Sequence, residues 1–228
     1  MTKHPSENGS DGAGPAGAAD DVLRRRVKAE IRKRMRALRR TTPESACAER
    51  SRLLVDRLEA HPDVAAARSV ALFWPIVERH EVDLRALDAK LRARGARLFY
   101  PAIDPGSGAM TFREVADVAS LEEAGYGFAE PAPGAREARG DELDVVIVPA
   151  LAVDPRGYRL GYGVGYYDRT LPRFAPPASS IAVAFDFQLV SELPAIEAHD
   201  VAVRWVVTDR RVLDARAGDE ADQGHKGE

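Results

Sequence analysis

Apolar residues recur at every third or fourth position over residues 21–40, with charged residues between them. This period predicts an amphipathic helix. A second helix is predicted to begin at the Thr-Thr-Pro-Glu run that follows and to end near residue 60. Two further helices are predicted over residues 83–95, where Gly95 is the stop signal, and over residues 166–171. The apolar stripe of the first helix consists of Leu23, Val27, Ile31, Met35 and Leu38.

Short apolar runs between these segments predict strands. The run DVVIVPAL (144–151) is apolar after its aspartate, which is typical of a strand covered on both faces. Strands that alternate with helices predict an α/β fold, a three-layer sandwich with a mostly parallel Rossmann-like sheet and helices on both faces. Ligands of such folds bind at the carboxyl ends of the strands. The other predicted strands occupy residues 69–75, 96–103, 109–115, 179–186 and 203–209.

Composition narrows the class of protein. The formal net charge of -3 argues against a molecule built as a whole for nucleic acid or anionic lipid. No apolar run approaches the roughly 20 residues that cross a bilayer, and the single cysteine excludes a disulfide framework. We expect a cytoplasmic protein with one α/β domain over residues 21–213. Gly, Ser, Pro and Ala predict a flexible arm over residues 1–20, and a similar composition predicts a flexible tail over residues 214–228.

The stretch RLGYGVGYYDRTL (159–171) contains three glycines in five residues, and these glycines lie between a predicted buried strand and a predicted helix. Such a unit offers free backbone N–H groups to an anion. The P-loop pattern fails because no lysine follows the last glycine, and the dinucleotide pattern fails because Tyr166 occupies a position that must be small. Asp186 nevertheless imitates a ribose-binding acid. A dinucleotide site and a plain strand-to-helix connection with buried tyrosines therefore both stay open.

The segment DVVIVPALAVDPRGYRLGYGVGYYDRTL (144–171) resembles the signature of the 5-formyltetrahydrofolate cyclo-ligases, also called methenyltetrahydrofolate synthetases. Further features follow in the family's order over roughly residues 22–209. They are a basic first helix with Lys28 and Arg32, FWPIVERHEVDL (73–84), GFAEP (127–131) and AFDFQLVSELPAIEAHD (184–200).

The resemblance implies an enzyme that uses ATP to close a ring in 5-formyltetrahydrofolate. ATP phosphorylates the formyl oxygen, N10 attacks the activated carbon, and phosphate leaves to give 5,10-methenyltetrahydrofolate. Mg²⁺ is the implied metal and ATP the co-substrate. The implied partners are small molecules only, a reduced folate and ATP, with no nucleic acid and no membrane, and the expected state is a monomer.

The resemblance also implies roles for individual residues. Arg159, Tyr166 and Asp168 would be catalytic, Asp168 and Asp200 would hold Mg²⁺, and Glu81 would contact the folate. The residues that would line ATP are Lys28, Arg32, Arg159, Leu160, Gly161, Tyr162, Gly163, Val164, Gly165, Tyr166 and Tyr167. Those that would border the folate with Glu81 are Tyr162, Gly163, Val164, Gly165 and Tyr166.

Each charged candidate also has an ordinary structural interpretation. Asp168 could be a favourable charge near a helix N-terminus, Asp200 a plain loop residue and Glu81 an exposed turn charge. Residues 24–40 hold ten basic side chains, most of which must be solvated, and a nucleic-acid arm is a further possibility. His80 and His199 lie near these motifs without an assigned role.

The chain departs from the family pattern at several positions. Val164 stands where relatives carry glycine or lysine, and its β-branched side chain requires an ordinary backbone conformation there. Ala150, Val153 and Leu84 replace glycine, phenylalanine and threonine. These departures leave room for a paralogue that keeps ATP binding with another formyl or amide substrate. A nucleotide- or folate-binding module without catalysis is a separate alternative.

Overall fold

A computed structural model of the chain describes residues 15–104, 106–123 and 127–217, with side chains from residue 20 onward. The helices in this part of the chain are α1 (Pro15–Thr41), α2 (Glu44–Ala60), α3 (Pro62–Ala66), α4 (Arg85–Ala93) and α5 (Tyr166–Thr170). The strands are β1 (Ser69–Ala71), β2 (Arg97–Ile103), β3 (Met110–Glu114), β4 (Glu122–Glu123), β5 (Ala129–Glu130), β6 (Val145–Pro149), β7 (Ala152–Val153), β8 (Arg159–Leu160), β9 (Ser179–Val183), β10 (Trp205–Val207) and β11 (Val212–Asp214).

Seven strands form the central sheet in the order β11-β10-β9-β6-β1-β2-β3. The five inner strands are parallel, and β3 and β11 pair antiparallel at the two edges. At the centre, Val70 of β1 lies opposite Leu98 of β2 on one side and Val145 of β6 on the other. This mostly parallel sheet confirms the α/β fold predicted from the alternating strands and helices.

Alternate residues of β6 supply the two faces of the core. Val145 and Ile147 point to the face covered by α2 and α4, where Leu54 and Leu58 are fully buried. Each such leucine stabilises the fold by roughly 1.5–3 kcal/mol. Val146 and Val148 point to the opposite face, which α5 and the turn after it cover with the side chains of Leu171 and Phe174.

Helix α1 packs against a separate two-stranded hairpin, β7–β8, rather than along the central sheet. Met35 is buried there with Leu151, Ala152 and Leu160. The predicted apolar stripe was wrong at its two ends, because Leu23 is 58% and Leu38 is 38% exposed. The hairpin matters for function because β8 leads directly into the glycine stretch.

The ends of several elements differ from the predicted ones. Helix α1 begins at Pro15, inside the predicted arm, and β11 ends at Asp214, inside the predicted tail; residues 1–14 and 218–228 lie outside the described residues. The strand predicted over residues 69–75 ends at Ala71, after which the chain leaves the sheet ahead of Pro75. No helix formed by the described residues combines the length and the apolar character that crossing a membrane requires.

Candidate active site

A cavity of about 600 Å³ lies where β1 and β6 end. Phe73 and Trp74 line it after β1, and Ala150 and Leu151 line it after β6. Helix α1 and the glycine stretch form the opposite wall. The structure brings every predicted site residue to this cavity: Lys28, Arg32, Glu81, Arg159, Leu160, Gly161, Tyr162, Gly163, Val164, Gly165, Tyr166, Tyr167, Asp168 and Asp200.

Two of the three glycines need the conformational freedom that glycine provides. Gly163 has φ +107° and Gly165 has φ +73°, and Gly165 is the residue from which α5 begins. A Cβ on Gly163 would lie 3.4 Å from Cζ of Arg32, so the loop also passes close under a guanidinium. Gly161 has no neighbour within 4 Å of a Cβ. Val164 keeps an ordinary negative φ, as its branched side chain requires.

Arg32 connects α1 to this loop. Its Nε donates a hydrogen bond of 2.9 Å to the carbonyl oxygen of Gly161. Burial, and to a lesser extent the neighbouring Arg36, lowers the pKa of Arg32. Neither terminal nitrogen of Arg32 donates to any residue that the structure describes, so both are available to an anion in the cavity.

Arg159 and Asp168 form a buried ion pair at the base of the cavity. The Arg159 side chain is 3% exposed; its NH2 donates to Oδ1 of Asp168 at 2.9 Å and its NH1 to the carbonyl of Val201 at 2.6 Å. Burial lowers the pKa of Arg159, and the Asp168 charge opposes that shift. Oδ2 of Asp168 accepts no hydrogen bond from the described part of the chain.

Lys28 is held by two carboxylates. Its Nζ lies 2.6 Å from Oε2 of Glu197 and 2.9 Å from Oδ2 of Asp200. Burial alone would lower the pKa of Lys28, but the two acids outweigh it and raise that pKa. Asp200 Oδ2 also accepts from the backbone N–H of Glu197 at 2.9 Å. Lys28 and Asp200 are therefore not the solvated helix cation and plain loop residue that the sequence left open.

The donor set suits a hard divalent cation. Asp168 and Asp200 line one cavity, and the backbone N–H of Val201, next to Asp200, donates to Oδ1 of Asp168 at 3.3 Å. Magnesium prefers one or two carboxylates and completes its octahedron with phosphate oxygens and water. The free Oδ2 of Asp168 fits that requirement. Glu197, His199 and Asp200 also bring ligand atoms within 4.8 Å of one another, which gives His199 a position beside the predicted metal ligand.

Glu81 is a buried carboxylate, not an exposed turn charge. Its side chain is 7% exposed, and its Oε2 accepts from the backbone N–H of Ile76 at 3.0 Å. The Tyr162 hydroxyl donates to Oε1, and NH2 of Arg39 lies 3.6 Å from the same oxygen. Burial, with the Glu81 charge, raises the pKa of Tyr162. The arrangement leaves an acceptor-rich group inside the cavity.

The two tyrosines of α5 differ in their surroundings. Tyr167 packs near Phe112, with ring centroids 6.4 Å apart, and burial of its hydroxyl raises its pKa well above the ordinary value. Tyr166 is half-buried, and the guanidinium of Arg169 lies 5.6 Å from its ring centroid. Both rings still line the cavity.

Sequence reasoning missed several residues of the cavity wall, including Arg39, Glu197 and the aromatic Trp74 and Phe128. Arg39 is 4% exposed and donates through Nε to the carbonyl of Arg79 at 2.9 Å. One signal could have found it, because Arg39 follows Met35 by four residues and so continues the buried face of α1.

Asp186 does not take part in the site. Its carboxylate pairs with Arg211 at 2.8 Å and accepts from the Thr208 hydroxyl at 2.9 Å, and it does not line the cavity. A ribose-binding acid would have to face the glycine stretch. The dinucleotide interpretation of that stretch therefore loses its support.

The fold and the cleft define an α/β ligand-binding protein, with a glycine-rich loop, guanidinium groups and carboxylates that suit an anionic ligand and a divalent cation. The sequence profile of the 5-formyltetrahydrofolate cyclo-ligase family matches residues 24–209. The chain belongs to this family, which confirms the resemblance carried by the glycine stretch.

Individual proteins similar to this chain carry the name of the same family. The 5-formyltetrahydrofolate cyclo-ligase of Escherichia coli strain K12 is 34% identical over 185 residues, 80% of this chain and 98% of that relative. A protein of the same name from Mycolicibacterium smegmatis is 50% identical over 93 residues, 40% of this chain and 47% of the relative. The NMR structure of Aquifex aeolicus 5,10-methenyltetrahydrofolate synthetase is 30% identical with a TM-score of 0.73, over 83% of this chain and 93% of that one.

Proposed function

We propose that this chain converts 5-formyltetrahydrofolate to 5,10-methenyltetrahydrofolate with hydrolysis of ATP, through a phosphorylated formyl group. The proposal rests on one observation: all the residues predicted to bind ATP, folate and metal line the same cavity. Membership of the cyclo-ligase family supports the same activity.

The anion-binding side of the cavity would hold the ATP phosphates. Arg32 offers two unpaired terminal nitrogens, and Arg159 and Lys28 bring two further positive charges to the cavity lining. Phosphoryl transfer asks a protein mainly for positioning and charge neutralisation, which these groups supply. Asp168 and Asp200 would hold Mg²⁺, which when bound neutralises phosphate charge and orients the transferred group.

An exchange of ionic partners would make two further cations available to the phosphates. Arg159 is paired with Asp168, and Lys28 with Asp200 and Glu197. If Asp168 and Asp200 held the metal, Arg159 and Lys28 would be available to the phosphates. The site therefore favours ATP and Mg²⁺ arriving together over either one alone.

The folate would lie on the other side of the cavity, toward Glu81. A buried carboxylate can accept from the donor edge of a pterin. Trp74, Phe128 and Tyr166 line the same cavity and would offer flat faces to the aromatic rings, each worth on the order of 1 kcal/mol beyond buried area. This arrangement would place the formyl group between the pterin-binding and phosphate-binding sides.

The reaction then balances without a further reagent. The formyl oxygen of the folate attacks the terminal phosphorus of ATP, and ADP leaves. The lone pair of N10 forms the new carbon–nitrogen bond, phosphate departs with the former formyl oxygen, and N10 loses its proton. Holding the two substrates in line and excluding water are the contributions that the cavity makes.

The departures from the family pattern give little support to a changed substrate. Leu84 is 1% exposed and Val153 is fully buried, and neither lines the cavity. They adjust core packing beneath the site. Only Val164 and Ala150 contact the cavity, and neither removes a charge or a hydrogen-bonding group proposed for catalysis.

An absorbance assay tests the proposal. Purified protein with 5-formyltetrahydrofolate, ATP and Mg²⁺ should produce the near-ultraviolet band of the methenyl product, and omission of ATP or addition of a chelator should abolish it. A flat trace with measurable ATP binding would contradict the proposal. Turnover of another formyl or amide substrate would then favour the paralogue, and binding of ATP or folate without turnover of any of these substrates would favour the non-catalytic module. The cytoplasmic location and the monomeric state stay predictions.

A further inference from the structure

Arg39 is a buried cation in the last turn of α1. It lines the cavity, although no sequence motif marks it. Burying a charge is costly unless the charge is paired and hydrogen-bonded, so the partners of Arg39 indicate what it does. Among the residues that the structure describes, its only carboxylate partner is Glu81, whose Oε1 lies 3.6 Å from NH2 of Arg39.

Arg39 is bonded in both directions to the turn that precedes Glu81. Its Nε and NH2 both donate to the carbonyl oxygen of Arg79, Nε at 2.9 Å. Nδ1 of His80 lies 2.9 Å from the carbonyl oxygen of Arg39 and donates to it, because a carbonyl can only accept. His80 has a left-handed backbone with φ +49°, which is uncommon outside glycine. Arg39 therefore contacts three consecutive residues of this turn, the last of which is Glu81.

Arg39 also reaches the glycine stretch through Tyr162. NH2 of Arg39 lies 3.4 Å from the Tyr162 hydroxyl, which in turn donates to Oε1 of Glu81. The other carboxylate oxygen, Oε2, accepts from the backbone N–H of Ile76 at 3.0 Å. Both oxygens of Glu81 are thus held, by groups from α1, from the glycine stretch and from the segment after β1. A carboxylate has about four acceptor positions, so some remain for a ligand in a fixed direction.

We propose that Arg39 is a positioning residue for folate binding, which holds the Glu81 carboxylate in the orientation that accepts from the donor edge of the pterin. This inference rests on the proposed function. A carboxylate fixed before the ligand arrives costs less to order on binding than one that must select a rotamer. The effect is confined to the folate side, because Lys28 and Arg32, the α1 residues proposed for ATP, lie about two or more helical turns before Arg39.

A double-mutant cycle on Arg39 and Glu81 tests this role, with the dissociation constant of 5-formyltetrahydrofolate measured by calorimetry without ATP. Arg39→Gln should weaken folate binding about 10- to 100-fold, as expected for the loss of a charged hydrogen-bonding partner. Glu81→Gln should weaken it as well. In the Glu81→Gln background, Arg39→Gln should cost less than about threefold, because no carboxylate is left to position. Equal costs of Arg39→Gln in the two backgrounds would overturn the proposal.

Two further measurements separate positioning from a general loss of structure. MgATP should bind the Arg39→Gln variant within about threefold of its wild-type affinity, whereas a displaced α1 would weaken the binding of both ligands. Arg39→Lys keeps the charge but lacks the guanidinium fork, so it should bind folate with intermediate affinity. Parallel losses of ATP and folate affinity, or a lysine variant as weak as the glutamine variant, would contradict the proposal.

Arg34→Gln is the matched control, because it removes the same charge from the same helix. Arg34 is exposed and does not line the cavity, so this variant should bind folate within about twofold of the wild type. A loss as large as that of Arg39→Gln would show a general effect of charge and overturn the proposal. Turnover is measured separately: a wild-type protein that binds folate without forming the methenyl product would contradict the proposed function, and the cycle would still decide the role of Arg39.

Discussion

Arg159 and Asp168 are bonded to each other at 2.9 Å, although one is proposed to bind phosphate and the other a metal ion. The same relationship recurs between Lys28 and Asp200, also at 2.9 Å. Two of the three proposed phosphate-binding cations are thus paired with proposed metal ligands, whereas Arg32 has no carboxylate partner among the described residues. This pairing predicts that the binding of nucleotide and the binding of metal depend on each other.

Replacing Asp168 by asparagine should have opposite effects on the two forms of ATP. The amide no longer neutralises Arg159, so metal-free ATP should bind more tightly than to the wild type. The complex with Mg²⁺ should bind more weakly because a metal ligand is lost. Calorimetry with Mg²⁺ and with a chelator measures both constants, and a variant that weakens both forms equally would show that the ion pair does not couple them.

Turnover should also fail when Asp168 is lost. Both Asp168→Asn and Asp168→Ala should lower kcat/KM by at least about 100-fold, and added Mg²⁺ should not restore it. The alanine variant should be the less stable of the two, by up to about 3 kcal/mol, because it leaves buried Arg159 without its partner. Unfolding curves separate the loss of stability from the loss of catalysis. Near-normal activity in either variant would show that Asp168 is not a metal ligand.

The three glycines should respond differently to alanine. Gly163→Ala and Gly165→Ala place a Cβ on a left-handed backbone and should each lower the free energy of unfolding by about 1–2 kcal/mol. In Gly161→Ala the new Cβ has no neighbour within 4 Å, so the free energy of unfolding should be unchanged or slightly higher. If a phosphate approaches the chain at Gly161, that variant should weaken ATP binding alone. Thermal melts with and without MgATP give both quantities.

Acid should weaken the attachment of α1 to the site. The hydrogen bond from Lys28 holds the pKa of Glu197 below its ordinary value of 4.5. A depressed carboxyl pKa stabilises the fold above that ordinary value, and the stabilisation is lost as the pH falls through the lower, folded-state pKa. Glu197→Gln should therefore flatten the pH dependence of the unfolding free energy between about pH 5 and pH 3.

The exposed carboxylate Glu30 provides the control for this measurement. It lies on α1 and has no ion-pair partner among the residues described. Glu30→Gln should follow the wild-type pH dependence. If the two glutamine variants behaved alike, the Lys28–Glu197 pair would contribute nothing specific to acid stability.

Sequence patterns predicted the fold well where the elements are long or uniformly apolar. The run around Val146 has no polar side chain that could face water, so a central parallel strand was the only consistent interpretation. The two-residue strands of β7–β8 were not predicted, because so short a pair has no periodicity of its own and packs on α1, a contact that a local pattern does not reveal. Helix α3, five residues long, escaped prediction for the same reason.

The site was predictable only as far as motifs mark its residues. The family resemblance identified Lys28 and Asp200, which are 172 positions apart and meet in the structure. It did not identify Glu197, whose carboxylate completes that contact, or Arg39, which lies 3.6 Å from Glu81. The contacts of Glu197 and Arg39 depend on how α1 packs against the glycine stretch, and that packing is tertiary structure that no local motif encodes.

An isotope measurement tests the central claim, that ATP activates the formyl oxygen in this cavity. 5-Formyltetrahydrofolate labelled with ¹⁸O in the formyl group is turned over with unlabelled ATP and Mg²⁺, and the released phosphate is analysed by mass spectrometry. One ¹⁸O atom in each phosphate, together with growth of the methenyl band, is the predicted result. Unlabelled phosphate, or phosphate released without methenyl product, would contradict the account.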